Sequence, residues 1–346
     1  MIKHRGFTLV ELIVGLALGS LLLLGILKIF EANLRGHQLL IADTQIQDSA
    51  RILRSTLLYD IQNTGAVGCK TNLDSVYHQE LFQPPDHPDF GFTDFVPFRL
   101  YNNVAENSTI GNVSALHTDE DAKVIEANTD VISLIRAVRV KEQLTAVNKK
   151  DAFVKIAGSP FSADDYLLLI SCQGKIIGEL FQVQSVENKT VQKINLNMSV
   201  SQDKENLLSD KKKQLISTMV YRLEVISYFV AESIDSTNND RKLSLFRKIN
   251  NKPAVEYIPG VDDFQISYEI INENSNRRSM IAGNDSNTII QDLASVIHFD
   301  WVLRSDSFSN SNQFQGSATG KTAGQQYPKD GKLRRQFAFS GTIRNR

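Results

Sequence analysis

The feature of this sequence that most constrains its fold is a long apolar segment near the N-terminus, residues 7–27. Apart from Thr8, Glu11 and Ser20, its side chains are apolar or glycine. About 20 helical residues match the roughly 30 Å hydrocarbon core of a bilayer, so the length predicts a membrane-spanning helix. A carboxylate within such a helix is costly unless a partner neutralises it, which makes Glu11 a candidate functional residue.

Two ordinary interpretations account for part of this segment. A secretory signal peptide would explain the basic start, Lys3 to Arg5, but its apolar region is about 7–15 residues long and ends at a small-residue cleavage site. Here the apolar run is longer and no such site follows it. A plain membrane anchor fits the length and gives no reason for Glu11.

The run G-F-T-L-V-E-L at residues 6–12 resembles the leader junction of type IV prepilins. The resemblance implies a leader of residues 1–6, cleavage by prepilin peptidase between Gly6 and Phe7, and methylation of the new N-terminus at Phe7. It also implies that Glu11 pairs with the N-terminus of a neighbouring subunit. A charge that is costly alone in the membrane would then be satisfied in the assembled filament.

Two glycines, Gly15 and Gly19, form a G-x-x-x-G spacing within the apolar run. Small residues at this spacing let membrane helices approach closely, which predicts a helix-packing role. Membrane helices also tolerate glycine without such a role, so both interpretations stay open. Many major pilins carry a proline near the end of this run, whereas the first proline here is Pro84.

A stripe of apolar residues extends the predicted helix beyond the membrane half, residues 7–30. Its members recur at intervals of three and four residues: Leu39, Ala42, Ile46, Ala50, Leu53, Leu57 and Ile61. The pattern predicts an amphipathic half, residues 31–62, packed on a globular head. A coiled-coil dimer is the alternative, but it would need sustained heptads of larger residues than these alanines.

The remaining chain, residues 63–346, has the pattern of a β-rich head. Residues 131–140 and 166–172 resemble buried strands, and 176–186 a hairpin partner of the second. Alternating apolar residues predict half-buried antiparallel strands at 194–198, 221–225, 264–270, 297–303 and 337–343. Polar composition predicts exposed loops near 272–287 and 305–332, and no element is predicted over 66–125. The predicted fold class is α+β, a long N-terminal helix packed on an antiparallel sheet.

Later segments are similar to the PilW family of minor pilins. They are Y-I-P-G-V-D-D-F-Q-I-S-Y at 257–268, V-L-R-S at 302–305, and the tail 333–346. This resemblance implies a pilin-like subunit that helps to initiate type IV pilus assembly and sits at the pilus tip. The J-type minor pseudopilin of type II secretion is similar in plan, although its chains are generally shorter. A membrane-anchored binding protein that never enters a filament is a further alternative.

The resemblance also implies partners and location. The partners are prepilin peptidase, other minor pilins and the major pilin, with a large tip adhesin as a further candidate. The location is a single-pass precursor in the inner membrane with a periplasmic head, and then the cell-surface pilus. Because the leader would place the head outside the cytoplasm, Cys69 and Cys172 are expected to form a disulfide, with two buried thiols as the alternative.

Nothing in the sequence indicates catalysis, so we expect no enzyme, no catalytic residue, no metal site and no cofactor. The histidines show no metal-ligand spacing, the two cysteines make no zinc pattern, and no nucleotide-binding glycine motif occurs. His298, Asp300 and Ser305 lie close in sequence, which alone does not make a triad. A net charge of −1 gives no general case for nucleic acid, even with Lys211–Lys213 as a basic cluster.

Overall fold

The computed structural model of the 346-residue chain describes residues 8–65, 98–104, 125–140, 144–148, 153–157, 161–163, 165–171, 177–187, 191–197, 218–233, 235, 242–250, 252–272, 277–282, 294–305 and 332–343. Over these ranges the chain forms one long helix followed by fourteen strands in two antiparallel sheets. The α+β plan expected from the sequence is therefore confirmed.

The helix, α1, runs from Leu9 to Asn63. The strands are β1 (Phe98–Tyr101), β2 (Val131–Arg139), β3 (Leu144–Asn148), β4 (Phe153–Ala157), β5 (Tyr166–Ser171), β6 (Ile177–Glu187), β7 (Val191–Asn197), β8 (Thr218–Glu232), β9 (Leu243–Ile249), β10 (Val255–Pro259), β11 (Val261–Asn272), β12 (Arg277–Ala282), β13 (Ala294–Arg304) and β14 (Arg334–Thr342).

Helix α1 contains 55 residues, which makes it about 80 Å long at 1.5 Å per residue. Its outer half lies on the head through the apolar stripe: six of the seven stripe residues are buried and Leu39 is partly buried. The helix ends where the Thr64 N–H donates to the Ile61 carbonyl at 3.1 Å and the Thr64 hydroxyl donates to the Asp60 carbonyl at 2.7 Å. Tertiary packing therefore stabilises the outer half along one face.

The first sheet has ten strands, and its organising element is the 15-residue strand β8. One edge of β8 pairs with β2, while the other edge pairs with β5 along residues 218–223 and then with β9 along residues 226–232. Asn250 fills the gap between those two partners: its N–H donates to the Val225 carbonyl, and its side chain accepts from the Val225 N–H. The ladder of β8 thus continues without a break.

The second sheet has the order β12-β11-β13-β14. Its last strand, β14, lies beside α1. A Cβ added at Gly341 would be 3.2 Å from the Ile61 side chain, and Arg335 donates to Asp43 at 2.7 Å. Aromatic rings fill the space between this sheet and the helix, with the Phe299 and Phe339 centroids 4.9 Å apart. One core thus joins α1 to both sheets.

Gly260 is the turn by which the chain passes from the first sheet to the second. Its φ is +76°, its N–H donates to the Leu243 carbonyl, and its carbonyl accepts from the Arg304 N–H. A Cβ at this position would overlap the Arg304 carbonyl oxygen. Asp130 makes a second link, because its carboxylate accepts the N–H of Asn103 on one side and of Ile266 on the other.

Several sequence-based strand predictions are confirmed. Strands β5 and β6 pair as the predicted hairpin, and β2 is a central strand between β1 and β8. The predicted apolar alternations at 264–268 and 297–303 face the core. One prediction is wrong: the polar stretch 272–287 is not all loop, because β12 lies within it and pairs with β11. An edge strand needs no second apolar face, so polar residues suffice there. The predicted loop over 305–332 lies outside the described residues except at its two ends, and both cysteines lie outside them as well.

Replacing Gly260 with alanine is expected to lower the free energy of unfolding by about 2–4 kcal/mol. The substitution combines left-handed backbone strain with a steric clash against the Arg304 carbonyl. Denaturant unfolding of the full chain in detergent micelles would measure the change. Gly36→Ala is the matched control, since this helical glycine has nothing within 4 Å and alanine favours a helix by up to about 1 kcal/mol. Equal effects at the two glycines would contradict the prediction.

Candidate functional site

The start of α1 is closed by a capping box formed by Thr8 and Glu11. The N–H and hydroxyl of Thr8 each donate to Glu11 Oε2 at 2.9 Å, and the Glu11 N–H donates to Thr8 Oγ1 at 3.3 Å. Such a box satisfies N–H groups that the first helical turn leaves without partners. Both Thr8 donors therefore bind the same oxygen of the Glu11 carboxylate, Oε2.

The N-terminal half of α1 meets the length and composition requirements of a membrane span, and its large apolar side chains are exposed. Its backbone groups are satisfied within the helix, as a bilayer requires. The Ser20 hydroxyl donates to the Ala17 carbonyl at 2.8 Å, so this polar side chain is satisfied as well. Glu11 is the acid in the first turn of this helix.

The predicted site residues are distributed as follows. Gly15 and Gly19 lie on the exposed apolar half of α1, and a Cβ at either would meet nothing within 4 Å in this single chain. Their predicted packing role therefore stays a prediction about contacts with other chains. Gly6 and Phe7 at the predicted cleavage point, and the predicted pair Cys69 and Cys172, lie outside the described residues.

A buried ionic cluster joins the far end of α1 to the first sheet, and we call it the clamp. Its centre is Asp60, one turn before the helix end and 1% exposed. The Asp60 carboxylate pairs with the Arg136 guanidinium on β2, accepts the Tyr228 hydroxyl at 2.6 Å, and lies 3.2 Å from the Arg247 guanidinium. The C-terminus of a helix carries a partial negative charge, which repels a carboxylate. The hydrogen-bond donors and positive charges around Asp60 are therefore needed to stabilise it there.

The clamp continues across the sheet through alternating charges. Arg136 also donates to Glu224 Oε2, at 3.0 Å through Nε and 2.7 Å through its terminal nitrogen. The second oxygen of Glu224 accepts from Arg222 at 2.6 Å. The three arginines, Glu224 and Tyr228 lie on the face of the sheet that packs on the helix, opposite Asp60. The clamp therefore fixes the position of the head on the end of α1.

The clamp favours the charged forms of Glu224 and Arg136 and the neutral form of the Tyr228 hydroxyl. Burial alone would raise the pKa of Glu224, but hydrogen bonds and charge from Arg136 and Arg222 outweigh it and hold that pKa below its ordinary value. Burial would also lower the pKa of Arg136, yet Asp60 and Glu224 raise it. Burial, and then the charge of Asp60, raise the pKa of the Tyr228 hydroxyl, so it acts as a neutral donor.

Replacing Glu224 with glutamine is expected to cost about 1–3 kcal/mol of stability at pH 7, and less in acid. Because the folded pKa of Glu224 lies below the ordinary 4.5, its contribution is present above that pH and is lost as pH falls through the folded pKa. Denaturant unfolding of wild type and variant at several pH values between 7 and 3 would measure the difference. A difference that stays constant over this range would contradict the assignment.

The His298 side chain makes its contacts on the two strands that flank β13. Its Nδ1 is 2.6 Å from the Ser340 hydroxyl on β14 and its Nε2 is 3.0 Å from Glu269 on β11. Ser305 instead lies buried and binds the backbone at Leu333. The His298 contacts join three neighbouring strands, so they stabilise the second sheet.

Sequence reasoning missed the clamp. Asp60 lies between two members of the predicted stripe, Leu57 and Ile61, and a carboxylate beside a buried stripe is the signal that could have revealed it. Its partners could not be chosen from the sequence, because Arg136 and Arg247 are 76 and 187 residues away along the chain.

Comparison with known proteins supports the interpretation of the N-terminus. Residues 1–27 match a family profile described as the prokaryotic N-terminal methylation motif. The N-terminus of this chain is that of a prepilin-type protein. The motif implies processing by prepilin peptidase, and with the apolar helix it is consistent with an inner-membrane precursor and a pilus. Prepilin-type proteins are structural subunits, which agrees with the expectation that the chain is not an enzyme.

The other comparisons add little to the prepilin-type assignment. A type IV-like pilin from Thermus thermophilus is 12% identical, and the match covers 55% of this chain and 88% of that one. Its TM-score of 0.19 is too low to support a conclusion about fold or function. No curated protein sequence matches this chain.

Proposed function

We propose that this chain is a minor pilin that helps to initiate type IV pilus assembly and sits at the pilus tip. In this proposal prepilin peptidase cuts between Gly6 and Phe7, the Phe7 amine is methylated, and Glu11 binds the N-terminus of a neighbouring subunit. The capping box supports the last step, because it holds the Glu11 carboxylate at the N-terminal end of α1, which is the end next to the predicted cleavage point. Among minor pilins, the PilW family is the one that residues 257–268, 302–305 and 333–346 resemble.

The size and rigid attachment of the head carry this proposal. A ten-stranded and a four-stranded sheet share one core with the outer half of α1, and the clamp fixes that arrangement. If such a head were repeated at every step of a helical array, each copy would need space occupied by the next. At a filament end no subunit lies above it, so a bulky rigid head is tolerated there.

Deletion of the gene tests the proposal. We expect about tenfold fewer pili per cell, with shafts of normal appearance, and restoration by the wild-type chain. Immunogold labelling of the head should mark filament ends. Labelling along the whole shaft would overturn the tip position. Loss of protein secretion with normal piliation would instead assign the chain to type II secretion.

A further inference from the structure

Asp130 lies where the first sheet meets the second, and it takes the place of a strand partner for β11. Strand β12 pairs with β11 along residues 267–272. Just before that stretch, the Asp130 N–H donates to the Phe264 carbonyl at 2.9 Å, and Asp130 Oδ2 accepts the Ile266 N–H at 2.6 Å. The other carboxylate oxygen accepts the Asn103 N–H at 2.8 Å. One carboxylate therefore holds β11 to the segment that follows β1.

A second buried acid, Asp263, lies beside this contact. Asp130 and Asp263 are 2% and 4% exposed. The side-chain nitrogen of Gln265 donates to Asp263 Oδ1 and to the Asn128 carbonyl, both at 2.8 Å, so it spans the same contact. We call this region, residues 101–104, 128–130 and 263–266, the sheet junction. Two neighbouring carboxylates in a buried site ionise together only at a cost, so ionisation of Asp130 works against the contact that it makes.

The surroundings of Asp130 disfavour its charged form. Burial raises the pKa of Asp130 to about 6, the two N–H donors oppose that shift, and the charge of Asp263 adds to it. The other titratable groups on the adjoining elements are Glu126, which is a further acid, Arg99 and Tyr101, which lie on the face of β1 opposite Phe98 and Leu100, and Asp262, which is paired with Arg304 and Arg334. The charge that acts on Asp130 is therefore negative.

We propose that the sheet junction is a pH-sensitive contact, tighter in mild acid than at neutral pH, with Asp130, beside Asp263, as the group that senses pH. Protonation of Asp130 removes a buried charge and its repulsion by Asp263. When the junction opens, the carboxyl group enters water and its pKa returns to the ordinary 3.8. A rise in pH therefore favours the open form, in which the Phe264 carbonyl and the Ile266 N–H are released from Asp130. This device is independent of the proposed function.

The direction and size of the effect follow from proton linkage. The closed junction binds the Asp130 proton more tightly than the open one, so acid stabilises the closed form. Lowering the pH from 8 to 5 protonates Asp130 in the closed form and leaves it ionised in the open form. The ratio of closed to open junction should therefore rise about tenfold. Glu224 acts in the opposite direction and at lower pH, because its folded pKa lies below 4.5.

Hydrogen exchange of the full chain in detergent micelles, read by mass spectrometry between pH 5 and pH 8, tests this proposal. After correction for the intrinsic exchange rate at each pH, the amides of Asn103 and Ile266 should be about tenfold better protected at pH 5 than at pH 8. The Asp130→Asn variant should lose this difference. The control amide is that of Val225, which donates to Asn250 within the first sheet and should change little. Equal protection at both pH values, or an equal rise at Val225, would overturn the proposal.

Two further variants complete the test. Histidine is the residue type that ordinarily changes charge between pH 5 and pH 8, so His298→Gln, on the same sheet as Ile266, is the matched control. It should keep the tenfold difference, and loss of the difference in this variant would overturn the role of Asp130. If Asp130→Asn does not fold, Asp263→Asn takes its place, because its amide oxygen still accepts from Gln265 while the negative charge is gone. The rise in protection should then occur at lower pH, and an unchanged midpoint would overturn the proposal.

Discussion

Replacing Asp60 with alanine is expected to lower the free energy of unfolding by about 3–5 kcal/mol, a large share of the stability of most domains. The variant leaves Arg136 and Arg247 without the carboxylate that they share, and removes the acceptor of the Tyr228 hydroxyl. An uncompensated buried charge costs far more than the loss of an exposed pair. Denaturant unfolding of the full chain in detergent micelles would measure the loss.

A second ion pair between the same helix and the same head provides the control. Asp43 accepts from Arg335 at 2.7 Å, but the Arg335 side chain is 52% exposed. Asp43→Ala should therefore cost no more than about 1 kcal/mol. Similar losses for Asp43→Ala and Asp60→Ala would show that burial does not set the strength of the clamp. Asp60→Asn should fall between them, because its amide oxygen still accepts from Tyr228.

The contrast between stripe and clamp explains how much of this fold the sequence could predict. The stripe from Leu39 to Ile61 repeats with the helical period, so a single segment carries all the information needed to place it. The clamp depends on which strands the topology brings beneath Asp60. Arg136 becomes a neighbour of Glu224 only because β2 pairs with β8, which no local pattern specifies.

The strands show the same division between local and distant information. Strands with one buried face, such as β11 and β13, alternate clearly and were predicted. Strand β12 lies in a stretch whose polar composition predicts a loop, and it pairs at the edge of the second sheet. Strands β9 and β10 were missed as well. In β9, Leu245 faces the helix and Phe246 faces the opposite core, so apolar residues on adjacent positions hide the strand period.

The candidate site at the N-terminus was easier to predict than the clamp, because its chemistry lies within twelve consecutive residues. The motif at residues 6–12 predicts processing by prepilin peptidase, and the family profile over residues 1–27 supports that prediction. What the sequence did not reveal is that Thr8 holds the Glu11 carboxylate by two hydrogen bonds. That geometry allows the charge of Glu11 to be tested separately from its role as a helix cap.

Replacing Glu11 with glutamine is expected to leave the helix cap intact and to reduce incorporation into filaments by about 60- to 300-fold. Glutamine can take the third position of a capping box, since its amide oxygen accepts the same Thr8 donors. The charge is lost, however, and so is the gain from satisfying an intramembrane carboxylate on assembly, about 2.5–3.5 kcal/mol. The measurement is the fraction of the chain recovered in sheared filaments, relative to the amount in the membrane.

Two variants separate this effect from failures at other steps. Gly6→Ala should block cleavage by prepilin peptidase, so that mass spectrometry detects the uncleaved precursor. Glu11→Gln should be cleaved normally. Thr8→Val removes the hydroxyl that donates to Glu11 but keeps the charge, so its incorporation should fall less than that of Glu11→Gln. If Glu11→Gln enters filaments as well as wild type, the carboxylate has no role in assembly and Glu11 serves α1 only as a cap. If Thr8→Val is as severe as Glu11→Gln, orientation of the carboxylate by Thr8 is as important to assembly as its charge.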